Sequence, residues 1–242
     1  MSVTLICLHY GGGNRFSFLK LKEFLDQSIE MKSLEIPGHG KRLNEPLLTD
    51  LELIAKDVFE QIKPILDDNE YILYGHSLGG TVLFLVTRLL QTNNFKMPGH
   101  LIVSGCKGPK FNHVRSSTCH LLNDEDFKLE LKKLGGFPKE ALENDELLTF
   151  FLPILRADFK AIETYQYKTE EPFKVPITVL SGLNENITLE ELESWKDETA
   201  LSLDFLQFPG HHFFILERFK EIGEIINDIS KNKLSESRAI IL

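Results

Sequence analysis

The sequence predicts an α/β fold in which helices cover both faces of a mostly parallel sheet. Short apolar runs rich in strand-forming residues alternate with segments of helical periodicity along most of the chain. A more charged segment, at approximately residues 111–155, interrupts this alternation and carries short helical patterns of its own. The chain of 242 residues is long enough for one α/β domain. We therefore expect a single domain over residues 1–242, with a helical lid insertion at approximately 111–155.

The spacing of apolar residues assigns each element along the chain. Strands are predicted at Val3–Leu8, 31–36, 71–74, His100–Ser104, 175–180 and Leu203–Phe208. Helices are predicted at 18–25, 51–66, 81–90 and 213–229, with Asp124–Leu134 and 145–152 inside the insertion. Thr188 and Glu191 match a capping box that opens a further helix towards Trp195. Asp50 is placed to cap the helix at 51–66, and we expect the polar tail from Lys231 onward to be disordered.

The segment Gly75-His76-Ser77-Leu78-Gly79 joins the third strand to the helix that follows it. A strand, a sharp turn and a helix form the context that exposes a nucleophilic serine, and the two glycines allow strand and helix to approach closely. The helix N-terminus at Ser77 also favours negative charge through its free N–H groups. A Gly-x-Ser-x-Gly segment by itself is often only a turn, so the flanking strand and helix are what indicate a nucleophile.

Composition argues against several other kinds of protein. The formal net charge of −9 argues against nucleic-acid binding. Cys7, Cys106 and Cys119 are odd in number and lack metal-ligand spacing, which is typical of a reducing cytoplasm. The sequence shows neither a signal-peptide pattern nor an apolar run long enough to span a bilayer. We expect a cytoplasmic monomer that uses no metal or cofactor and binds neither nucleic acid nor membrane.

A serine nucleophile needs a base and an orienting acid further along the chain. His212 follows the last predicted strand, on a loop that can reach Ser77, and it is preferred to its neighbour His211. In the loop after the preceding strand, Glu185 is the only carboxylate before the next helix, whereas the loop after the fourth strand offers no acid. Ser77, Glu185 and His212 are therefore the predicted nucleophile, acid and base, in the chain order of the α/β-hydrolase fold.

Backbone N–H groups at the same end of the sheet are predicted to form an oxyanion hole. One comes from Leu78, directly after the nucleophile, and the other from Gly11 in the glycine-rich loop after the first strand. These loops should meet, because ligands of parallel sheets bind beyond the carboxyl ends of the strands. His9, His39 and His76 lie at this end as well, and the sequence leaves open whether they contact substrate or are structural.

Apolar residues of the insertion either line an acyl channel or pack the insertion onto the body of the domain. They are Phe127, Leu131, Phe137, Leu142, Leu147, Phe150 and Phe151. Since packing residues are the more common kind, we expect most of them to serve that purpose.

A series of motifs in this order resembles the type II thioesterases, the free-standing hydrolases of nonribosomal peptide and polyketide synthesis. The motifs are Tyr10-Gly11-Gly12-Gly13, Glu35-Ile36-Pro37-Gly38-His39-Gly40, Gly75-His76-Ser77-Leu78-Gly79-Gly80, Leu134-Gly135-Gly136-Phe137-Pro138, Leu152-Pro153-Ile154-Leu155-Arg156-Ala157-Asp158, Glu163-Thr164-Tyr165, Pro176-Ile177-Thr178-Val179 and Gly210-His211-His212-Phe213-Phe214. The resemblance extends over nearly the whole chain. The medium-chain fatty-acyl thioesterases of animals are similar as well.

The resemblance implies a serine thioesterase that hydrolyses acyl thioesters on the phosphopantetheine arms of acyl or peptidyl carrier proteins. In the family, this reaction removes misprimed or stalled acyl groups. The resemblance gives Ser77, His212 and the two backbone donors the roles assigned above. The family usually has Asp at the position of Glu185, Pro at that of His9 and Ala at that of Gly11.

Three other functions remain open on the residues alone. They are a medium-chain acyl thioesterase, a carboxylesterase for small esters, and a protein that binds carriers without catalysis. Basic residues near the insertion form either a docking patch for acidic carrier proteins or an ordinary charged surface. They are Lys107, Lys110, Lys128, Lys132, Lys133 and Arg156.

Overall fold

A computed structural model describes residues 2–66, 70–111, 118–134 and 144–241. Its strands are β1 (Val3–Leu8), β2 (Ile29–Leu34), β3 (Glu70–His76), β4 (His100–Ser104), β5 (Ile177–Gly182) and β6 (Leu203–Phe208). The described helices are α1 (Leu51–Ile62), α2 (Leu78–Thr92), α3 (Asp124–Leu134), α4 (Asp145–Thr164), α5 (Leu189–Glu193) and α6 (Phe219–Ile241). The strands form one parallel sheet in the order β2-β1-β3-β4-β5-β6, which confirms the predicted fold class.

The strand register brings the loops of interest to one edge of the sheet. Leu8 at the end of β1 pairs with Gly75 near the end of β3, so the glycine-rich loop begins beside the turn that carries Ser77. Gly182 at the end of β5 pairs with Phe208 at the end of β6. The loops that follow β5 and β6 therefore also start at the same level, beyond the carboxyl ends of the strands.

Apolar side chains fill the space on both faces of the sheet. Helices α1 and α2 cover one face through a cluster that includes Ile54, Val58 and Val82, all fully buried. On the other face, α6 and a 3₁₀ helix at Leu19–Phe24 enclose a second cluster that includes Ile222. The two-sided burial explains why β1, β3, β4 and β5 are continuous apolar runs rather than alternating ones.

Two strands are displaced by two residues from their predicted positions. β2 spans Ile29–Leu34 rather than 31–36, because its ladder with β1 begins at Ile29 and the chain then turns towards Pro37. β5 spans Ile177–Gly182 rather than 175–180. Pro176 has no N–H to donate to a ladder, so the strand begins immediately after it.

The helices before β3 are shorter than predicted. Residues 18–25 form the 3₁₀ helix Leu19–Phe24 rather than an α-helix. Helix α1 begins as predicted, with the Asp50 side chain accepting the Leu53 N–H at 2.9 Å. It ends at Ile62, and the chain continues as a 3₁₀ turn that contains Pro64, a residue that cannot extend an α-helix.

Towards the C-terminus the helices are longer than predicted. The predicted helix at 213–229 is divided into a 3₁₀ turn at Phe214–Leu216 and helix α6. Helix α6 runs to Ile241, so the expectation of a disordered tail is wrong. Among the described residues, no helix combines the length and apolar character needed to cross a membrane.

The insertion between β4 and β5 contains α3, with its predicted bounds, and α4, which continues to Thr164 rather than ending at 152. A third apolar cluster holds these helices together and includes Phe127, Leu131 and Leu155. The predicted break at Gly135-Gly136-Phe137-Pro138, as well as Leu142, lies outside the described residues.

Candidate active site

Ser77 occupies a strained turn between β3 and α2. Its φ of 54° and ψ of −119° place a residue with a side chain in a conformation that is normally left to glycine. The surrounding glycines make this turn possible. A Cβ at Gly75 would lie 2.4 Å from the carbonyl of Gly79, and a Cβ at Gly79 would lie 2.2 Å from the carbonyl oxygen of Leu8. The turn therefore presents the Ser77 hydroxyl beyond the end of the sheet, where α2 begins.

The structure brings together the three side chains predicted to cooperate. Nε2 of His212 is 3.0 Å from Oγ of Ser77, and Nδ1 of His212 is 2.7 Å from Oε1 of Glu185. The other carboxylate oxygen of Glu185 accepts the Gly182 N–H at 2.6 Å. The Glu185 side chain is only 2% exposed, so it is shielded from water. A glutamate thus reaches the imidazole from a loop that follows β5 directly.

This geometry is suited to proton transfer from the hydroxyl. An ionised carboxylate only accepts hydrogen bonds, so Glu185 selects the His212 tautomer with its proton on Nδ1. Nε2 of that tautomer is unprotonated and can accept the Ser77 proton. A serine oxygen would become more nucleophilic if its proton moved to His212, and the carboxylate is placed to stabilise the resulting imidazolium.

The other histidines near the site have different surroundings. His211 is exposed, and its Nδ1 lies 3.3 Å from the Asn184 carbonyl oxygen. His76 is fully buried behind the site, with its ring centroid 4.9 Å from that of His212. Burial and repulsion by His212 lower the pKa of His76 well below its usual value, so it stays neutral. None of these contacts makes His211 or His76 a partner of Ser77.

His9 and His39 are buried at the same end of the sheet. Burial and the neighbouring His39 lower the pKa of His9 to about 4. Burial alone would also lower the pKa of His39, but its hydrogen bond to Asp158 raises that pKa above the usual value. Sequence reasoning did not assign Asp158 a role, although this residue closes one of the quoted motifs. Its position within that motif was the available signal.

Two chambers have Ser77 and His212 in their lining. The smaller, of about 50 Å³, is lined by Tyr10, Gly11 and apolar residues of the insertion. The larger, of about 450 Å³, extends towards the loops that carry Glu185 and Lys107. Gly11 thus lies in the same chamber as the Ser77 hydroxyl, and Leu78 is the first residue of α2. The side chains give no grouping of His, Cys, Asp and Glu suited to a metal ion within the described parts of the chain.

The apolar residues of the insertion divide between lining and packing. Leu131 lines the smaller chamber, together with Leu134, Leu155, Phe159 and Ile162. Phe127 is fully buried in the insertion's own cluster, and Phe151 packs against that cluster. Leu147 and Phe150 are exposed. Phe137 and Leu142 lie outside the described residues. The second half of α4, which was not predicted, therefore contributes Leu155, Asp158, Phe159 and Ile162 to the chamber wall.

Comparison with known proteins identifies the family. Residues 3–231 match the family model described as a thioesterase domain. The gramicidin S biosynthesis protein GrsT of Aneurinibacillus migulanus is 36% identical over 225 residues, which are 93% of this chain and 87% of that protein. The structure of ClbQ from the colibactin NRPS/PKS pathway has a TM-score of 0.90 at 29% identity, with 100% of each chain covered. The type II thioesterase BorB from the borrelidin biosynthetic cluster has a TM-score of 0.85 at 28% identity, covering 95% of this chain and 93% of that chain. The chain therefore belongs to the thioesterase family, with type II thioesterases among its relatives.

Proposed function

We propose that this protein is a serine thioesterase that releases acyl groups from the phosphopantetheine arms of carrier proteins in nonribosomal peptide or polyketide synthesis. The single observation that carries the proposal is the Ser77–His212–Glu185 contact chain inside a thioesterase-family fold. Support for the pathway comes from relatives that are named for gramicidin S, colibactin and borrelidin biosynthesis. The role in such a pathway is editing, that is, removal of misprimed or stalled acyl groups.

The proposed reaction begins when Ser77 Oγ forms a bond to the thioester carbonyl carbon. The serine proton moves to His212 Nε2, and the carbonyl oxygen becomes an oxyanion. When the oxyanion collapses, the C–S bond breaks and the thiolate takes the proton from His212. A water molecule then gives a proton to His212 and adds to the acyl-serine carbonyl. Collapse of this second intermediate returns the proton to Ser77 and releases the acyl group as a carboxylic acid.

We assign oxyanion stabilisation to the backbone N–H groups of Leu78 and Gly11. Each such donor typically contributes about 10²–10³ in rate, because it is already aimed at the developing charge. Leu78 is the first residue of α2, so its N–H lies at the positive end of the helix dipole, which stabilises negative charge at the same point. A thiolate is a good leaving group, so cleavage of the C–S bond needs little assistance. The step that most needs stabilisation is therefore formation of the oxyanion.

The two chambers suggest how a substrate lies. We assign the smaller, apolar chamber to the acyl group and the larger chamber to the pantetheine arm, which contains amide groups that need polar partners. Helices α3 and α4, which belong to the described part of the predicted lid insertion (approximately 111–155) and its continuation, line the acyl side, and we assign them the role of a lid on a single domain.

The basic residues near the insertion offer weaker support for carrier docking than their number suggests. Four of the lysines and the arginine form ion pairs with carboxylates: Lys107 with Glu191, Lys110 with Asp197, Lys128 with Glu125, Lys133 with Glu130 and Arg156 with Asp124. Lys132 is exposed on α3. A docking role would therefore depend on exchange of these partners when an acidic carrier approaches. A monomeric, cytoplasmic protein is part of the proposal, and the burial of Cys7 and Cys106 as thiols agrees with it.

A substrate comparison tests the proposed function. We expect kcat/KM to be highest for an acyl-pantetheinyl carrier protein, lower for the matched acyl-pantetheine thioester and lowest for its oxygen ester. The Ser77→Ala variant should lose at least about 10⁴-fold of this activity. Equal turnover of the oxygen ester and the thioester would instead indicate a carboxylesterase. No turnover of any substrate by the wild-type protein would indicate a carrier-binding protein without catalysis.

A further inference from the structure

One buried carboxylate beside the proposed site takes no part in the contact chain of Ser77. Asp158 lies on α4, is 1% exposed, and lines the smaller chamber together with Gly11. Its Oδ2 accepts the Gly12 backbone N–H at 2.7 Å and lies 3.0 Å from Nε2 of His39. Burial of a carboxylate costs free energy that only close pairing offsets. The role of the Asp158 carboxylate is therefore inferred from its two partners, the Gly12 N–H and His39.

The unused oxygen of this carboxylate argues against a purely stabilising role. Oδ1 of Asp158 is buried and has no hydrogen-bond partner among the residues that the structure describes. A carboxylate placed for stability would be expected to have both oxygens bonded, since each unpaired buried oxygen is destabilising. Both contacts of Asp158 instead converge on Oδ2, the atom that holds Gly12.

The hydrogen bond to Gly12 acts on the adjacent residue, Gly11. A Cβ built at Gly11 would lie 3.4 Å from the Asp158 Cβ and 3.5 Å from its Oδ2, so the carboxylate lies directly against this turn. Gly12 has a φ of 71°, a conformation that glycine adopts without the steric cost that a side chain would bring. Within the turn, the Gly13 N–H donates to the nearby Tyr10 carbonyl at 2.9 Å. The bond from Gly12 to Asp158 joins this turn to α4.

His39 supplies positive charge to balance Asp158. Its Nε2 faces Asp158 and its Nδ1 lies 3.1 Å from the Pro37 carbonyl oxygen. Both partners only accept hydrogen bonds, so the imidazole satisfies them best with a proton on each nitrogen. The raised pKa of His39 agrees with this protonated form. The pair is then neutral, which matters because an uncompensated carboxylate would repel the oxyanion that forms near Gly11.

We propose that Asp158, balanced by His39, is a positioning residue that fixes Gly12 to α4 and thereby aims the Gly11 N–H at the oxyanion. The inference rests on the proposed function, because it presumes that an oxyanion forms on a Ser77 adduct. It also links the insertion to catalysis. Since Asp158 belongs to α4, the oxyanion hole is complete only when that helix is seated on the domain.

The test compares a ligand that forms an oxyanion with one that does not. An alkyl trifluoromethyl ketone adds to Ser77: the Oγ–carbon bond forms, the serine proton passes to His212 and the ketone oxygen becomes the oxyanion. The matched alkyl carboxylate binds the same chamber without reaction. In Asp158→Ala, the inhibition constant of the ketone should rise about 10²-fold, since small displacements of catalytic groups cost that much. The inhibition constant of the carboxylate should change by less than about threefold.

Glu163 offers a matched control on the same helix. It is a buried carboxylate that accepts the Cys119 and His120 N–H groups at 3.0 and 3.1 Å and contacts Nδ1 of His120, so it ties a different loop to α4. In Glu163→Gln the ratio of the two inhibition constants should equal that of the wild type. If Asp158→Ala does not fold, Asp158→Asn keeps the shape of the side chain but turns a donor towards His39, and the ketone constant should still rise about tenfold.

The result that overturns the inference is an unchanged ratio of the two constants in both Asp158 variants. An unchanged ratio includes equal losses for ketone and carboxylate, which would indicate general damage to the chamber. If the wild type forms no adduct with the ketone, the proposed role of Ser77 fails first, and that of Asp158 fails with it. The two failures are therefore distinguishable by the wild-type measurement alone.

Discussion

Replacement of Glu185 by Gln removes one charge while keeping the shape of the side chain, and the structure allows its effect to be worked out. One carboxylate oxygen faces His212 Nδ1 at 2.7 Å and the other faces the Gly182 N–H at 2.6 Å. If the amide NH₂ faces His212, Nδ1 must accept its hydrogen bond, so the imidazole proton lies on Nε2. Nε2 can then no longer accept the proton of Ser77. If the NH₂ faces Gly182 instead, two donors oppose each other in a buried site, at a cost of about 1–3 kcal/mol.

The first orientation removes the working tautomer, and the second keeps it only at this cost, so the first predominates. We expect kcat for an acyl-pantetheine thioester to fall between about 10²- and 10⁴-fold in Glu185→Gln, with little change in KM. Glu190→Gln is the matched control, because it removes the same charge from an exposed carboxylate in the first turn of α5. Turnover of Glu185→Gln within about threefold of that of the control would refute the assignment of the acid.

Three further changes test other parts of the structure. The pKa of His39 is raised in the folded protein, so its pairing stabilises the fold fully below about pH 6.5, the ordinary pKa of histidine, and this stabilisation is lost as the pH rises through the raised pKa. The Tm difference between wild type and His39→Gln should therefore shrink from pH 6 to pH 9. A constant difference would contradict this. Gly79→Ala forces a Cβ to within 2.2 Å of the Leu8 carbonyl oxygen and should lower the free energy of unfolding by at least about 3 kcal/mol, whereas an unchanged urea midpoint would show that the elbow can relax. Reversal of Lys132 and Lys133 to Glu should raise KM for an acyl-carrier protein more than for a small acyl thioester, and equal effects on the two substrates would count against docking.

Much of the fold was predictable because the sheet is buried on both faces. Strands covered on both faces become apolar runs, and β1 and β4 have their predicted bounds. β6 also has its predicted bounds, although it is a largely exposed strand at the edge of the sheet. Where the predicted bounds of a strand were wrong, residues or contacts outside its apolar run determined where the strand begins. The ladder to β1 fixed the start of β2, and Pro176 fixed that of β5. Local periodicity also gave no sign that helix α6 continues to Ile241.

The candidate site was predictable only as far as its chemistry is written in local motifs. Ser77 is marked by its glycines, and Glu185 and His212 follow from chain order and loop position, so their meeting in space could be anticipated. Their catalytic roles remain predictions. The role of Asp158 could not be found in this way, because its contact with Gly12 joins residues that are far apart in the chain and depends on how α4 is placed.

The proposed function depends most directly on activation of the Ser77 hydroxyl by His212. A fluorophosphonate probe, which forms a covalent bond with activated serine oxygens, tests it directly when the labelled peptide is identified by mass spectrometry. We expect one labelled peptide, containing Ser77, with labelling abolished in Ser77→Ala and strongly slowed in His212→Ala. An unlabelled wild-type protein, or a label on a different residue, would contradict it.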